Sequence, residues 1–351
     1  MALAMERGPR VRDGSVEFEL TDARLTGAAL LHELRRPRRV EFERAGRTFR
    51  LSFPRPDADR MEYLLELRRR GRVDVVPDPT NPLRAPGAFG EKSVIEFPGY
   101  APPAWVADDD AATGSLREVA LESMRLRATV PALLWSAADT DPEQPLPLLV
   151  VHDGPEYAEY SALVRLCDHL VDFGETPEFR ALLLPPGPGR GELYSASARY
   201  ANALAADLIP RARELAPFEK PPVLLGASLG ALAALHAHLR NPGLVGGLFL
   251  QSGSFFRRRF DAHESPFSRF TRITRFVGEI HGRRGFAAPV PTVVTCGTAE
   301  ENLDNNRALV DALSRRGWPV TAFWNRDAHN WTAWRDALQP HFSQLLLRAW
   351  T

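Results

Sequence analysis

The chain contains little cysteine and little lysine, and its charge is not of one sign. Cys167 and Cys296 are the only cysteines in 351 residues, too few for a disulfide framework or a structural zinc site. Lys and Arg number 44, as do Asp and Glu, so the formal net charge is zero. This balance excludes a single-sign field that would draw the whole protein to nucleic acid or to an anionic membrane.

Long hydrophobic runs are also missing. The sequence has no stretch of about 18 apolar residues, so it predicts no membrane-spanning helix. The segment from Met1 to Gly14 lacks the apolar core that a secretory signal needs. We therefore expect a cytoplasmic protein that binds neither nucleic acid nor membrane, and the oligomeric state stays open.

The length predicts two domains, since a single domain usually holds roughly 100–200 residues. From Ser15 to about Tyr100, short alternating segments are separated by Gly and Pro, which predicts a small antiparallel β-sandwich as the first domain, residues 1–115. The segment from Phe97 to Ser115 is dense in Pro, Gly and Asp, so we place the domain boundary there. Residues 116–351 form the second predicted domain.

In that second domain, continuous apolar strands alternate with helical patterns. Such runs predict strands covered on both faces, as in a mostly parallel sheet flanked by helices, the α/β class. The predicted helices are Glu156 to Val171, Ser197 to Leu215, Ala231 to Arg240, Asn305 to Arg316, and Trp331 to about Leu347. The stretch from Phe256 to Gly285 is long for a connection, and we consider it a candidate lid.

The strongest catalytic motif is a serine between two glycines. Gly226-Ala227-Ser228-Leu229-Gly230 matches G-x-S-x-G and lies between a predicted strand and a predicted helix. A serine on so sharp a turn holds strained backbone angles, and glycine neighbours let the turn close. Ser228 is therefore the predicted nucleophile.

A serine hydroxyl needs a base, and His329 is the best placed histidine. It directly follows the predicted strand PVTAFWN, whereas His152 lies within a strand and His236 and His238 lie in the helix after the serine. A histidine on a loop at the same sheet edge can take the proton of Ser228. We predict that His329 is the general base.

The base needs a carboxylate to orient it, and one loop offers three. Glu300, Glu301 and Asp304 follow the strand PTVVTCG and precede a helix, which fits the chain order nucleophile, acid, histidine. Glu300 is nearest the strand end and is our choice. The other two can instead cap the helix N-terminus.

An oxyanion hole is expected from two backbone N–H groups. One is that of Leu229, at the N-terminus of the helix that follows the nucleophile. The other comes from the loop after the strand PLLVVHDG, where Pro155 has no N–H. The second donor is therefore Gly154 or Glu156, and the sequence does not decide between them.

Several segments together resemble the esterase family that includes enterochelin (ferric siderophore) esterases, with feruloyl esterases and mycolyltransferases as more distant members. The segments are HDGPEY, RGEL at residue 190, GASLGALAALHAHLRNP, LFLQSGSFF, CGTAEEN and AHNWTAWRDAL. The resemblance runs from about Leu116 to Trp350. It implies an α/β-hydrolase fold, a triad of Ser228, His329 and Glu300, and an Ig-like N-terminal domain.

The chain departs from the family pattern at two places. Asp327-Ala328 stands where two glycines usually precede the histidine, and Pro155 stands where relatives carry an N–H. The family resemblance also implies a pocket for an aromatic or siderophore-like acyl group. Its candidate lining residues are Tyr157, Arg190, Tyr194, Phe255, Phe256, Trp331, Trp334 and Arg335. Core packing explains about half of the aromatic ones equally well.

The sequence thus predicts a serine carboxylic-ester hydrolase that forms an acyl-enzyme and needs no metal or organic cofactor. Its expected partner is a small-molecule ester. The alternatives are an acyltransferase of the same fold and a non-catalytic binding protein that keeps the fold. The natural ester and the role of the N-terminal domain stay open.

Overall fold

The structure is a computed structural model that describes residues 8–107, 111, 113–282 and 288–351. The chain divides into two units. The β unit comprises the residues up to Ala101 together with Gly297–Glu301 and Asn325–Ala333. The α/β unit comprises Pro102–Cys296, Asn302–Trp324 and Trp334–Thr351.

The division between the units falls before residue 102, whereas the sequence predicts a domain boundary after residue 115. The reason is that the residues just after the boundary pack within the α/β unit. Trp105 is buried in a short 3₁₀ turn, and the Gly114 N–H donates a hydrogen bond of 2.8 Å to Asp168. Residues 108–110 and 112 of the predicted boundary segment lie outside the described residues.

The described part of the β unit, from residue 8 onward, contains ten strands in two sheets. The strands are β1 (Arg10–Val11), β2 (Ser15–Thr21), β3 (Leu25–His32), β4 (Arg39–Glu41), β5 (Glu43–Ala45), β6 (Thr48–Pro54), β7 (Arg60–Arg69), β8 (Arg72–Val76), β9 (Arg84–Ala85) and β10 (Lys92–Glu96). One sheet has the order β1-β2-β6-β5. The other has the order β4-β3-β7-β10-β9, with β8 paired to β7.

Alternating side chains from both sheets form one buried cluster. Val16 and Phe18 of β2 are buried in it with Leu30 of β3 and Tyr63 of β7. The Phe18 and Tyr63 rings meet edge to face, with centroids 5.3 Å apart. The alternation predicted for an antiparallel sheet is thus confirmed, since β2 has one face buried and the other exposed.

The α/β unit is built around one eight-stranded sheet. Its strands are β11 (Ser115–Ser123), β12 (Ala128–Ser136), β13 (Leu148–His152), β14 (Arg180–Leu184), β15 (Val223–Ala227), β16 (Gly247–Gln251), β17 (Thr292–Gly297) and β18 (Val320–Asn325). The order is β11-β12-β14-β13-β15-β16-β17-β18. From β14 through β17 the neighbouring strands run parallel.

The helices of this unit follow the strands in chain order. They are α1 (Gly154–Tyr160), α2 (Leu163–Asp172), α3 (Arg190–Leu193), α4 (Ala198–Ala203), α5 (Ile209–Leu215), α6 (Leu229–Arg240), α7 (Phe270–His281), α8 (Leu303–Ser314), α9 (Trp331–Asp336) and α10 (His341–Trp350). Every residue of β13 to β17 is buried, which confirms that the continuous apolar runs are strands covered on both faces.

Three predicted elements differ from those observed. The helix predicted from Glu156 to Val171 is divided into α1 and α2 at Ala162, whose φ is +49°. The helix predicted from Trp331 to Leu347 is interrupted before Pro340, because proline lacks the N–H that a helix interior needs.

The third difference is in the stretch from Phe256 to Gly285, which is not a plain loop. It contains α7, whose apolar side is buried; residues 283–285 of the stretch lie outside the described residues. Among the residues that the structure describes, no helix is long and apolar enough to cross a membrane.

Candidate active site

Ser228 lies on a strained turn between β15 and α6. Its backbone has φ 55° and ψ −121°, a region that costs an ordinary residue energy and is seen mainly at functional sites. A Cβ on Gly226 would lie 2.6 Å from the carbonyl carbon of Gly230, and one on Gly230 would lie 3.1 Å from the Cβ of His152. Close packing therefore requires glycine at residue 226 and leaves only a tight space for a Cβ at residue 230.

The hydroxyl of Ser228 has a second serine beside it. The Oγ atoms of Ser228 and Ser254 are 3.2 Å apart, and Ser254 is buried. The backbones are also joined, since Ser254 N–H donates to the Ser228 carbonyl oxygen at 3.1 Å. Sequence reasoning missed Ser254, although the segment QSGSFF that contains it was noted for the family resemblance.

The segment that carries Ser254 is held by asparagines at the start of α8. The Asn306 side chain accepts from Gly253 N–H at 3.0 Å and donates to the Gly253 carbonyl at 2.8 Å. Asn302 donates to the Ser252 carbonyl at 3.1 Å. Side-chain amides replace a strand ladder here, because the backbone turns away at Ser252, whose φ is +47°.

The loop after β13 is the expected second half of the oxyanion hole, and an ion pair secures it. Asp153 has φ 55° and accepts two hydrogen bonds of 2.8 Å from Arg190. A Cβ on Gly154 would lie only 2.4 Å from the Cα of Leu183, so this position has room for glycine alone. Burial works against the charge of Arg190, but the bonds to Asp153 prevail and raise its pKa.

Two ionisable groups near this loop have shifted pKa values. Burial lowers the pKa of His152 to about 4, so this histidine is neutral at pH 7. Burial raises the pKa of the Glu156 carboxyl, while the backbone N–H of the same residue opposes the rise. His152 is thus a neutral packing residue, in agreement with its rejection as the base.

Arg190 therefore has a structural partner as well as its predicted place in substrate binding. We expect Arg190→Met to lower kcat by about 10²-fold, because a loop displaced by about 1 Å misplaces an oxyanion donor. The measurement is steady-state hydrolysis of an aryl ester, with the melting temperature as a check on folding. Arg125→Met is the matched control, since Arg125 also pairs with a buried carboxylate, that of Asp207. Equal kcat in the two variants would contradict the role.

In the β unit, His329 and Glu300 are in direct contact. Nδ1 of His329 lies 2.5 Å from Oε2 of Glu300, and Gly297 N–H donates to the other carboxylate oxygen at 2.7 Å. Glu300 is 1% exposed, whereas the His329 side chain is 27% exposed. One ring nitrogen is thus fixed by a buried carboxylate, and the ring keeps access to solvent.

Glu301 and Asp304, the other two candidates for the triad acid, have different surroundings. Glu301 accepts hydrogen bonds from Arg36 at 3.0 Å and from Arg38 at 2.7 Å. Asp304 lies in the first turn of α8, where a carboxylate is favoured by the helix dipole. Of the three candidates, the carboxylate in contact with His329 is that of Glu300.

Asp327 shapes the turn that carries His329. Its Oδ1 accepts hydrogen bonds from Ala328 N–H at 2.7 Å and from the Asn330 side chain at 3.1 Å. A Cβ on Gly297 would lie 2.3 Å from the Asp327 carbonyl oxygen, so two chain segments pass very close here. The departure from the family's glycine pair thus supplies a carboxylate that organises the loop.

Three aromatic residues predicted to bind substrate are instead core residues. Tyr157 and Phe255 are 0% exposed and Tyr194 is 1% exposed, so they offer a ligand no surface. The hydroxyl of Tyr157 donates to Gln251 at 2.8 Å, and Tyr194 packs against His152 and Tyr200. Sequence patterns cannot separate such residues from pocket residues, since both favour large aromatic side chains.

Four other predicted pocket residues keep part of their side-chain surface exposed. Trp331 and Arg335 are half-buried, and Phe256 and Trp334 are each 7% exposed. Trp334 also has a structural bond, because its indole N–H donates to Ser252 at 3.0 Å. Their part in substrate binding stays a prediction.

Sequence comparison assigns the chain to a family. The family model described as "Putative esterase" matches residues 123–345. The Iron(III) enterobactin esterase of Dickeya dadantii (strain 3937) is 28% identical over 221 residues, 61% of this chain and 51% of the relative. The protein of the same name from Escherichia coli O6:H1 is 28% identical over 220 residues, 60% and 54% of the two chains. The chain spans about half the length of these curated relatives.

Solved structures show the same fold. The enterobactin esterase of Shigella flexneri, in the presence of 2,3-dihydroxy-N-benzoyl-serine, matches 99% of this chain and 98% of its own with a TM-score of 0.73 and 20% identity. The ferulic acid esterase of Anaeromyces mucronatus matches 72% and 97% with a TM-score of 0.55 and 13% identity. The fold is of the α/β-hydrolase type, and because the family model covers more than half of the chain, the chain belongs to this esterase family.

Proposed function

We propose that the chain is a serine carboxylic-ester hydrolase with Ser228 as nucleophile, His329 as general base and Glu300 as the acid that orients the base. The observation that carries the proposal is the 2.5 Å contact between Nδ1 of His329 and the buried Glu300 carboxylate. Because Nδ1 contacts Glu300, Nε2 is the nitrogen that exchanges the proton with Ser228. The strained turn at Ser228 supports the nucleophile.

The reaction runs in two steps through an acyl-enzyme. Ser228 Oγ attacks the ester carbonyl carbon as His329 Nε2 takes the hydroxyl proton, and the tetrahedral intermediate then expels the alcohol, which receives that proton. Water, deprotonated by His329, attacks the acyl-enzyme and releases the acid and free Ser228. Glu300 stays ionised and stabilises the imidazolium in both steps.

The oxyanion is stabilised by Leu229 N–H and by a second N–H from the loop after β13. Leu229 is the first residue of α6, where the helix dipole adds partial positive charge. The second donor is Gly154 or Glu156, the two residues of this loop beside Pro155 that carry an N–H. No metal or organic cofactor takes part in this scheme.

An aromatic, siderophore-like ester is the proposed substrate class. Two curated relatives are Iron(III) enterobactin esterases, and one related structure was solved in the presence of enterobactin. Within the β unit, Trp331 lies two residues from His329, and a Cβ on Gly87 would lie 3.8 Å from its ring. The same β9–β10 turn carries a fully exposed Phe89, so this turn offers aromatic surface.

The type of N-terminal domain, the location and the alternative functions are also matters of proposal. The two-sheet core of the β unit supports an Ig-like sandwich, and a cytoplasmic location stays a prediction. An acyltransferase would use the same acyl-enzyme but pass the acyl group to an alcohol, which product analysis with an added acceptor alcohol distinguishes. A non-catalytic binding protein is disfavoured by the paired Glu300 and His329.

Active-site labelling tests the proposal. A fluorophosphonate should add once per chain, and peptide mapping should place the adduct on the peptide that contains Ser228, since only an activated serine reacts. A panel of aryl, short acyl and siderophore esters then defines the substrate class, with aryl and siderophore esters expected to react fastest. Absence of labelling, or an adduct on another residue, would refute the proposed nucleophile.

A further inference from the structure

The segment that carries His329 is held by residues from the first part of the β unit. Asp59 N–H donates to the Arg326 carbonyl at 2.6 Å. Arg35 N–H donates at 2.9 Å to the carbonyl of Ala299, the residue before Glu300. Ala328 is 3% exposed and belongs to the buried cluster formed by both sheets of the β unit. The loops of Glu300 and His329 are therefore packed as parts of this unit.

A buried arginine lies at the centre of this packing. Arg60, the first residue of β7, is 3% exposed, and its guanidinium lies 5.4 Å from the centroid of the Tyr100 ring. Its Nη1 lies 3.6 Å from the Glu62 carboxylate and 3.7 Å from Oδ2 of Asp327. A guanidinium removed from water requires such carboxylates, because the charge has lost its hydration.

The two oxygens of Asp327 have separate contacts. Oδ1 accepts from Ala328 N–H and from the Asn330 side chain, the residues on either side of His329. Oδ2 faces Arg60 of β7. One carboxylate thus bonds the backbone of the His329 turn and also forms an ion pair, without a hydrogen bond to Nη1, with Arg60 of β7.

Two carboxylates lie near Arg60, and that of Asp327 is the one bonded to the His329 turn. Glu62 is on the same strand as Arg60 and is shared with Lys92, whose Nζ lies 3.6 Å from it. Burial also raises the pKa of Glu62 to about 7, so its negative charge is incomplete at neutral pH. The Asp327 carboxylate, in contrast, bonds the turn directly.

We propose that Arg60 is a positioning residue for the general base, acting on the His329 turn through Asp327. The inference rests on the proposed esterase function and gives the N-terminal domain a part in catalysis. Arg60 does not touch substrate; it fixes the carboxylate that holds residues 328 and 330, and so sets where the imidazole lies. Its loss should therefore reduce the rate of the chemical step and leave substrate binding intact.

The test is the kinetics of Arg60→Met in the full chain, with kcat expressed per fluorophosphonate-reactive Ser228. We expect kcat to fall by about 10- to 100-fold while KM stays within about twofold. Arg60→Lys should recover most of the loss, since it restores the positive charge. Arg69→Met is the matched control: Arg69 is on the same strand with two carboxylate partners, Asp22 and Asp74, and kcat should not change.

A double-mutant cycle with Asp327→Asn tests the route. If Arg60 acts through Asp327, the double variant should lose little more than the more impaired single variant, whereas independent residues would give additive losses. If Arg60→Met does not fold, Arg60→Gln takes its place. An unchanged kcat per reactive serine, or additive losses, overturns the inference while the esterase function stands. A wild type without hydrolysis or labelling overturns both.

Discussion

Ser228→Ala is expected to lower kcat for ester hydrolysis by about 10⁵- to 10⁶-fold, the range seen when a serine nucleophile is removed from a triad. The substitution removes the atom that forms the acyl-enzyme, so the two-step route is lost. Binding and the oxyanion N–H groups remain, and they leave about 10³-fold catalysis over water. A loss of 10⁵-fold corresponds to about 7 kcal/mol of transition-state stabilisation.

Ser254→Ala is the matched control for this experiment. Ser254 has its hydroxyl 3.2 Å from that of Ser228, so it is the serine able to substitute as nucleophile or to be labelled by mistake. We expect Ser254→Ala to retain fluorophosphonate labelling and Ser228→Ala to lose it. Labelling that persists in Ser228→Ala, or a kcat within about tenfold of the wild type, would remove Ser228 from the mechanism.

Much of the α/β unit was predictable because its signals are local. The five central strands are continuous apolar runs, and each is buried on both faces. The turn at Ser228 was predictable from its two glycines, since close packing leaves no space for a Cβ at Gly226. The contact between Glu300 and His329 was anticipated from chain order along parallel strands, although they are 29 residues apart.

The parts that sequence reasoning missed depend on contacts between distant segments. The pair of Asp153 and Arg190 joins residues 37 positions apart, and no local pattern marks either as a partner of the other. The arginine Arg60 and the carboxylate Asp327 are separated still further along the chain. Such pairs are set by the tertiary fold, so charge counting alone cannot identify them.

The division between the two units differs from the predicted domain boundary for a related reason. A composition rich in Pro, Gly and Asp identifies a segment without regular structure, but it does not indicate which core that segment packs against. Trp105 is buried, and Gly114 bonds Asp168 of α2, which assigns these residues to the α/β unit. Similarly, the loops 297–301 and 325–333 follow strands of one unit and pack in the other.

His329→Ala should reduce kcat about as severely as loss of the nucleophile, by about 10⁵- to 10⁶-fold, because serine and base act as one catalytic unit. Without the imidazole, the Ser228 hydroxyl keeps its proton and the alcohol leaves unprotonated. Exogenous imidazole should restore part of the rate by occupying the vacated space, an effect that a merely unfolded variant would not show. Glu300→Gln should cost less, about 10⁴-fold, since the base remains but its orientation and charge stabilisation are lost.

A second histidine–glutamate pair provides the control that separates catalysis from surface charge. His169 Nε2 lies 3.4 Å from the Glu175 carboxylate in the α/β unit, and both residues lie outside the predicted catalytic motifs. His169→Ala should leave kcat unchanged, because an ion pair of this exposure contributes little. If His329→Ala retained turnover within about tenfold of wild type, or if imidazole gave no rescue in the folded variant, another group would have to be the base.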